Sequence, residues 1–310
     1  MWGVPEMAGA TGDEVDVGGT DGFGRSRRER YRIAFKRFRD EWHIHVSLIG
    51  LLALVAFPLV MVIMMSTQSL AQIQTNQIAV GGQLVDNYTT AVFDRGFLGY
   101  MTTSFLMATL VATGKVLLAL LAAMALVYYD FPFQRLLLIG ILLTLLLPIP
   151  VLIVPLFQLM SDLSAIHPML GPGSMFALVV PFLASPTALL LLYQHFRSIP
   201  DSYLETAKLD DIGPLRFLVF VLIPMSKNML VGLFVISFIW AWNQYLWPLV
   251  VDASGGETVI QIGLQGLMGN AAGETPWGII AGTVLALVPP VVLLIMLRNQ
   301  LLTTFNLQTK

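Results

Sequence analysis

The sequence predicts an all-α integral membrane protein with six membrane-spanning helices. Hydrophobic residues make up 56% of the 310-residue chain and charged residues only 12%, whereas an average soluble domain has about 25% charged residues. Six apolar runs are each long enough to cross about 30 Å of hydrocarbon as a helix. Unpaired backbone groups are costly in lipid, so we expect each run to be helical. The runs cover residues 46–65, 104–126, 136–160, 174–193, 229–251 and 278–297.

The placement of basic residues predicts the orientation in the membrane. Of the 17 Lys and Arg residues, 15 fall in the N-terminal tail or in connecting segments on the same side of the membrane, Arg95 falls on the other side, and Lys115 lies within a span. Lys and Arg concentrate in cytoplasmic segments, so both termini are expected in the cytoplasm.

The first 40 residues differ in composition from the rest of the chain. Residues 1–24 are rich in Gly, Asp, Glu and Ala without an apolar period, and they are predicted to be disordered. Residues 25–39 carry eight basic residues and predict a helix at the cytoplasmic membrane surface. No signal peptide is predicted, so we expect the tail to be retained. The domain organisation is therefore a cytoplasmic tail, 1–40, and a six-helix membrane domain, 41–310.

Proline residues interrupt several predicted spans. Proline removes a helix hydrogen bond, and the freed carbonyl then needs water or a neighbouring helix. We expect kinked helices around an internal cavity, although proline is also common in ordinary membrane helices. The residues are Pro148, Pro150 and Pro155 in the third span, Pro181 and Pro186 in the fourth, and Pro289 and Pro290 in the sixth.

The longest cytoplasmic segment, residues 200–224, predicts a helix, a turn and a second helix on the inner membrane surface. Asp201 or Ser202 can cap the first helix, and Gly213 with Pro214 can end it. The first helix carries a small apolar surface that a partner protein could cover. This surface comprises Tyr203, Leu204, Ala207 and Leu209.

The segment from Glu205 to Pro224 resembles the EAA loop of ABC importer permeases. Glu205, Ala207, Asp210 and Pro224 fall on the family pattern, and Thr206, Asp211 and Ile212 depart from it. The resemblance implies a coupling helix that docks in a groove of a cytoplasmic ATPase subunit. Asp211 stands where the family has Gly, so the turn geometry is open and Gly213 is an alternative source of flexibility. The implied coupling residues are Glu205, Ala207, Leu209, Asp210, Asp211 and Gly213. An ordinary amphipathic loop helix is the alternative.

The fifth span carries an aromatic and amide-rich stretch, 238–249, that is similar to the permeases of sn-glycerol-3-phosphate importers in the carbohydrate-uptake branch. The resemblance covers about residues 40–310. Aromatic side chains with polar tips suit polyol binding, and buried amides in a span need a partner or a ligand. Lys115, too far from either end of its span to snorkel, is a candidate counter-charge for a phosphate. The alternative is a structural lysine paired with helix carbonyls or with an acidic group of the partner subunit. The substrate-binding candidates are Lys115, Trp242, Asn243, Gln244, Tyr245 and Trp247. Interfacial anchoring or ordinary packing is the alternative for each Trp.

The resemblance implies a type I ABC importer permease in the inner membrane of a prokaryote. Its expected partners are a second permease subunit, two ATPase subunits, an extracytoplasmic substrate-binding protein and membrane lipid, with no nucleic acid. The expected substrate is glycerol 3-phosphate, a glycerophosphodiester or a neutral sugar such as trehalose or maltose, moved by alternating access.

Several other kinds of chemistry are disfavoured. Gly114 and Lys115 lack the surrounding pattern of a phosphate-binding loop, so ATP and magnesium are expected in the partner ATPase and no cofactor in this chain. The chain has no cysteine, and its four histidines lack metal-ligand spacing. An ion-coupled secondary transporter is the alternative function, but it predicts inverted repeats and acidic residues within the spans, and neither is evident. An intramembrane enzyme lacks a catalytic constellation.

Overall fold

The computed structural model describes residues 42–94, 96–252, 258–269 and 276–306, which form helices and connecting turns without any strand. The predicted tail, 1–40, lies outside these residues. Besides the α-helices there are 3-10 segments at Thr144–Leu146, Pro168–Leu170 and Val180–Phe182 and π-helical segments at Thr90–Asp94 and Leu218–Leu222. The first eight helices are α1 (Trp42–Met65), α2 (Leu70–Gln74), α3 (Leu84–Thr89), α4 (Phe97–Tyr128), α5 (Gln134–Leu143), α6 (Ile149–Ser164), α7 (Met175–Val179) and α8 (Pro186–Arg197). The others are α9 (Ser202–Leu209), α10 (Pro214–Phe217), α11 (Ile223–Met225), α12 (Lys227–Trp242), α13 (Leu246–Asp252), α14 (Ile260–Gly269) and α15 (Pro276–Asn306).

Four of the described helical segments are long and apolar enough to cross a membrane, and the number rises to six if each of two bent pairs forms one span. The four are Trp42–Met65, Phe97–Tyr128, Pro168–Arg197 and Ile280–Leu301. The bent pairs are Gln134–Leu146 with Pro150–Ser164, and Pro214–Met225 with Lys227–Trp242. The all-helical membrane fold is thus confirmed, and the count of six stays a prediction.

Three predicted spans differ from the observed helices, and the fourth, 174–193, is divided between α7, which ends at Val179, and α8, which begins at Pro186. The third is broken near Pro148, which is extended and precedes the first residue of α6, and its two parts meet at 108°. Leu147 is extended as well, because proline disfavours a helical conformation in the residue before it, and this explains the break. The prediction of one helix over 229–251 is also wrong, because α12 ends at Trp242 and a new helix begins at Leu246.

The chain divides into two compact units, Met1–Met61 and Val62–Lys310. The second unit has two hydrophobic clusters distributed along α4. The first cluster includes Ala112 and the second includes Ala119, so Lys115 lies between them in the sequence of this helix.

Gly114 allows a close helix contact beside Lys115. A Cβ atom at this position would lie 2.3 Å from a side-chain carbon of Leu183. Because only a hydrogen occupies that space, α4 and the segment before α8 can approach each other closely. Residues next to this contact in the sequence, Lys115, Phe182 and Ala184, line the cavity described below.

Candidate functional site

Lys115 lies in a cavity of about 470 Å³ with its ammonium 3.5 Å from the ring centroid of Trp240. The side chain is only 8% exposed. No acidic residue lines the cavity, and within the described ranges the ammonium has neither an ion pair nor a hydrogen bond. The hydroxyl residues Thr144, Ser185, Thr187 and Ser237 line the cavity among mostly apolar side chains. A cation and hydroxyls in an apolar cavity can bind a small anion or a polyol.

Trp240 completes this arrangement, although sequence reasoning missed it. The Phe182 ring packs edge-on against it at 5.2 Å between centroids and holds the indole beside the cavity. The available signal is the helical spacing of Ile236, Trp240, Asn243 and Gln244, which places them on one face. That spacing alone does not show which face of the helix is open.

The same face of α12 borders an open groove of about 540 Å³. Asn243 and Gln244, both predicted as binding residues, line this groove together with Trp240. Asn243 follows the last residue of α12, and its amide donates to the Ile239 carbonyl at 2.8 Å. The structure therefore brings these two predicted residues close to Trp240, at the end of a helix rather than inside one.

Trp242 and Trp247, also predicted as binding residues, are buried and make hydrogen bonds within the fold. The Trp242 indole donates to the Ala286 carbonyl at 3.2 Å, and the Trp247 indole donates to the Ala177 carbonyl at 3.0 Å. These bonds attach neighbouring helices to each other and leave neither N–H group available. Both residues support the walls of the site, and neither lines the cavity beside Lys115.

Tyr245, the remaining predicted residue, lies in the short segment between α12 and α13. It is partly exposed, and its hydroxyl donates to the side-chain oxygen of Gln265 in α14. It does not line the cavity or the groove. Its observed contact connects α14 to the end of α12.

The predicted coupling helix is α9, and its two sides have different environments. Glu205 and Asp210 are exposed, and Leu209 is 87% exposed. Ala207 is only 4% exposed and packs in the second hydrophobic cluster. The exposed side is therefore available to a partner, whereas Ala207 serves to attach the helix to the bundle. Asp201 precedes α9 but makes no side-chain capping hydrogen bond.

The turn after α9 depends on Asp211. This residue has a positive φ of 52°, and its backbone N–H donates to the Lys208 carbonyl at 3.2 Å. The next N–H, of Ile212, donates to the Ala207 carbonyl at 2.9 Å. These two bonds form a Schellman motif, in which the left-handed position is usually glycine. Gly213 has a φ of −65°, so the expectation that it supplies the required flexibility is wrong.

Aromatic contacts attach this loop to the transmembrane helices. The ring of Phe217 packs edge-on against Tyr128 at 5.5 Å, and the Tyr128 hydroxyl donates to the Phe196 carbonyl at 3.3 Å. His195 and Ser226 are hydrogen-bonded at 3.0 Å, at the 82° bend between Pro214–Met225 and α12. A displacement of the loop would therefore act on α4 and α8 through these contacts, and on α12, which carries Trp240, through the chain itself.

Comparison with known proteins identifies the family. Residues 115–306 match the family described as the binding-protein-dependent transport system inner membrane component. The chain belongs to this family. It is a permease subunit of an ABC importer, located in the inner membrane, and a transport component rather than an enzyme. Such permeases operate in a complex with another permease, an ATPase and a binding protein.

Two relatives of this permease are described as sn-glycerol-3-phosphate transport system permease protein UgpE. The protein from Brucella melitensis biotype 1 is 34% identical over 265 residues, which cover 82% of this chain and 92% of the relative. The protein from Salmonella typhi is 34% identical over 266 residues, with the same two coverages. A solved structure of a bacterial ABC transporter involved in the import of the acidic polysaccharide alginate has the same fold. Its TM-score is 0.67 at 19% identity, over 86% of this chain and 97% of that one.

This family membership decides between the two functions left open by the sequence. An ABC importer permease is supported, and the ion-coupled secondary transporter is set aside. Within the described residues, no group of three or more His, Asp or Glu side chains could hold a metal ion.

Proposed function

We propose that this permease passes a phosphate ester of glycerol, of the glycerol-3-phosphate or glycerophosphodiester type, into the cytoplasm. The observation that carries the proposal is the buried Lys115 ammonium, which lies on the Trp240 ring without a described anionic partner. The names of the relatives agree with a phosphate-bearing substrate.

The energetics of Lys115 favour an anionic ligand. A lysine at the centre of a span costs about 3 kcal/mol on insertion scales, and a cation–π contact returns about 0.5–2 kcal/mol. A phosphate in the cavity would compensate the remaining cost, and the hydroxyls of Thr187 and Ser237 would hydrogen-bond to the glycerol moiety. The substrate would thus stabilise the conformation in which it is enclosed.

A neutral sugar is the second candidate substrate. Trp240, Asn243 and Gln244 border one groove, and an aromatic face next to amide groups suits the two faces of a sugar ring. In that case Lys115 would be structural, and Trp240 would provide the principal contact.

Substitution of Lys115 by Met separates these candidates. In the complete reconstituted transporter, we expect Lys115→Met to raise the half-saturation concentration for the phosphate esters by about tenfold or more, the equivalent of about 1.4 kcal/mol. Uptake of a neutral sugar, where it occurs, should not change. Lys115→Arg keeps the charge and should retain more activity, and Lys227→Met is the control at an exposed lysine. Unchanged uptake of phosphate esters by Lys115→Met would contradict the assignment.

The complex that we propose contains a second, different permease subunit, two ATPase subunits that bind ATP and magnesium, and an extracytoplasmic binding protein. Both termini are placed in the cytoplasm, and this chain holds no cofactor. The exposed Glu205, Leu209 and Asp210 would contact the ATPase, with Ala207, Asp211 and Gly213 shaping the helix and its turn. ATP-driven closure of the ATPase pair would move α9 and, through the contacts of Phe217 and Ser226, α4 and α8; α12 would follow because the loop leads directly into it.

Charge reversal at Glu205 tests the coupling role. Glu205→Arg is expected to leave the complex assembled and hydrolysing ATP while transport falls by about tenfold or more, because the docking contact would become repulsive. Asp162→Arg is the matched control, since this exposed acid lies in α6, away from the loop. Normal transport by Glu205→Arg would remove α9 from the coupling role.

Reporter fusions test the orientation. Fusions at Gln83, Gly171 and Gly255 are expected to report the extracytoplasmic side, and fusions at Asp201 and Lys310 the cytoplasmic side. A reproducible inversion at any of these positions would show that a span had been miscounted.

A further inference from the structure

A second polar cavity, of about 620 Å³, lies beside the start of α9. Its walls come from the end of α4, the start of α5 and the end of α8. Arg135 and Arg197 line it from α5 and α8, and Asp201, the residue before α9, lines it as well. This cavity is separate from the one that holds Lys115.

The two arginines have few interactions of their own. Arg197 donates to the Tyr193 hydroxyl at 3.4 Å, and its guanidinium lies 5.7 Å from that ring's centroid. Within the described part of the chain, neither Arg135 nor Arg197 forms an ion pair. Among the residues that the structure describes, Asp201 is the one acidic residue that lines the cavity, so this described lining carries one net positive charge.

The start of α5 is held in place beside this cavity. The amide of Gln134 donates to the Leu126 carbonyl at the end of α4, at 2.5 Å. This bond positions Arg135, the next residue, at the cavity wall. The arginine on α8 is the last residue of its helix. Both guanidinium groups therefore lie at helix ends rather than in mid-span.

Exposed apolar and aromatic residues lie next in the sequence to the α4 and α5 residues that line the cavity, and we call these exposed residues the rim. Phe133, just before α5, is 79% exposed, and Tyr129, Leu136 and Leu137 are exposed as well. Aromatic residues followed by exposed leucines are typical of the boundary between headgroups and acyl chains. A soluble anion would leave this rim uncovered, whereas a lipid could contact both the arginines and the rim.

We propose that this cavity binds the phosphodiester headgroup of an anionic membrane lipid. The guanidinium fork matches phosphate oxygens, and one net positive charge matches the single negative charge of a phosphodiester. Basic pockets between helices on the cytoplasmic side are suited to anionic lipids. The volume falls within the range of about 300–1,000 Å³ that is usual for small-molecule sites. The proposal rests on the proposed orientation, which places this end of the bundle at the cytoplasmic surface.

Because of where the cavity lies, a bound lipid is expected to affect transport. Asp201 belongs both to the cavity lining and to the start of α9. A bound headgroup would draw the two guanidinium groups together and fix the end of α8 relative to α9. Anionic lipid is therefore expected to increase the ATPase rate that is stimulated by substrate and binding protein.

The test uses the complete transporter in nanodiscs of phosphatidylcholine with and without phosphatidylglycerol. Mass spectrometry measures the phosphatidylglycerol retained per complex after purification, and the ATPase rate is measured in parallel. We expect the double variant Arg135→Gln/Arg197→Gln to retain about tenfold less of this lipid and to lose its stimulation. Arg298→Gln, at an exposed arginine near the end of α15, should behave like the parent. Equal thermal stability of parent and variant in phosphatidylcholine alone establishes that the fold is intact.

Three results would overturn the proposal. The first is unchanged retention of phosphatidylglycerol by the double variant. The second is displacement of the lipid by millimolar inorganic phosphate, which would identify a site for a soluble anion. The third is loss of the ATPase subunit from the variant complex with lipid retention unchanged, which would identify a protein contact.

If the double variant does not assemble, Arg197→Lys keeps the charge without the fork, and its lipid retention should fall severalfold. Lipid retention is measured without substrate, so failure of the Lys115 experiment would not affect this result.

Discussion

Buried polar side chains have different surroundings in two regions of this permease. In the connecting segment after α1, Gln68 and Asn87 are each only 1% exposed, and each donates two hydrogen bonds to backbone carbonyls. In the cavity, Lys115 is buried to a similar degree, and its described contact is with an aromatic ring. Buried polar groups are normally satisfied, so an exception calls for an explanation. The hydrogen-bonded amides of Gln68 and Asn87 support the fold, whereas the Lys115 ammonium is available to a ligand.

Of the substitutions that test this comparison, the one at Asn87 is expected to change stability most. Its amide donates to the carbonyls of Ser66 and Gln68 at 2.9 and 3.0 Å. We expect Asn87→Ala to lower the free energy of unfolding by about 2–4 kcal/mol, because two buried carbonyls lose a donor. Chemical denaturation of the purified permease measures this change. Asn243→Ala, at an exposed amide in the groove beside α12, is the control and should change stability by no more than about 0.5 kcal/mol.

A pair of Trp substitutions sharpens the comparison within one helix. Trp242→Phe removes the hydrogen bond to Ala286 and should cost about 1–2 kcal/mol of stability without changing the half-saturation concentration for substrate. Trp240→Phe removes no described hydrogen bond and should change that concentration more than stability. Thermal unfolding and uptake assays on both variants measure the two effects. If stability and the half-saturation concentration changed in the same way in both variants, the two indoles would not have different roles.

The sequence was sufficient to predict the features that depend on composition. In lipid, an apolar run that is long enough to cross the bilayer has few alternatives to a helix. A lysine inside such a run is easy to recognise in the sequence, because its burial there costs free energy. The all-helical membrane fold and the importance of Lys115 as a candidate follow from these two facts alone.

The features that depend on helix rotation and local backbone geometry could not be predicted. Trp240 and Trp242 have the same chemistry and are two residues apart, and only the neighbouring helices determine which one faces the cavity. The bend at Pro148 could have been a mild kink, as proline within a membrane helix often is. At Asp211, sequence reasoning left the turn geometry open and named Gly213 as an alternative source of flexibility, whereas hydrogen bonds to the preceding turn accompany a left-handed conformation at Asp211 itself.

The opposite stability effect is expected at Lys115. No described hydrogen bond or ion pair would be lost in Lys115→Met, and the cost of burying a charge would be removed. We therefore expect the free energy of unfolding without substrate to stay constant or to rise, by up to about 1 kcal/mol. Denaturation measured beside Asn87→Ala checks this directly. A loss larger than about 1 kcal/mol would mean that the ammonium has a structural partner and that the two regions do not differ in this respect.

The smallest effect concerns Asp211, which is exposed and keeps its left-handed conformation without burial. A non-glycine residue at such a position costs about 1 kcal/mol, and less for Asp than for most side chains. We expect Asp211→Gly to stabilise the permease by about 0.5 kcal/mol, whereas Asp211→Val, with a branched side chain at positive φ, should destabilise it by about 1–2 kcal/mol. Thermal unfolding of the two variants measures the difference. Transport should fall together with stability in Asp211→Val, because the turn that presents Asp210 and Leu209 would then be distorted. In Asp211→Gly, transport should stay unchanged. If Asp211→Gly instead reduced transport while raising stability, the Asp211 carboxylate would itself belong to the docking surface of α9.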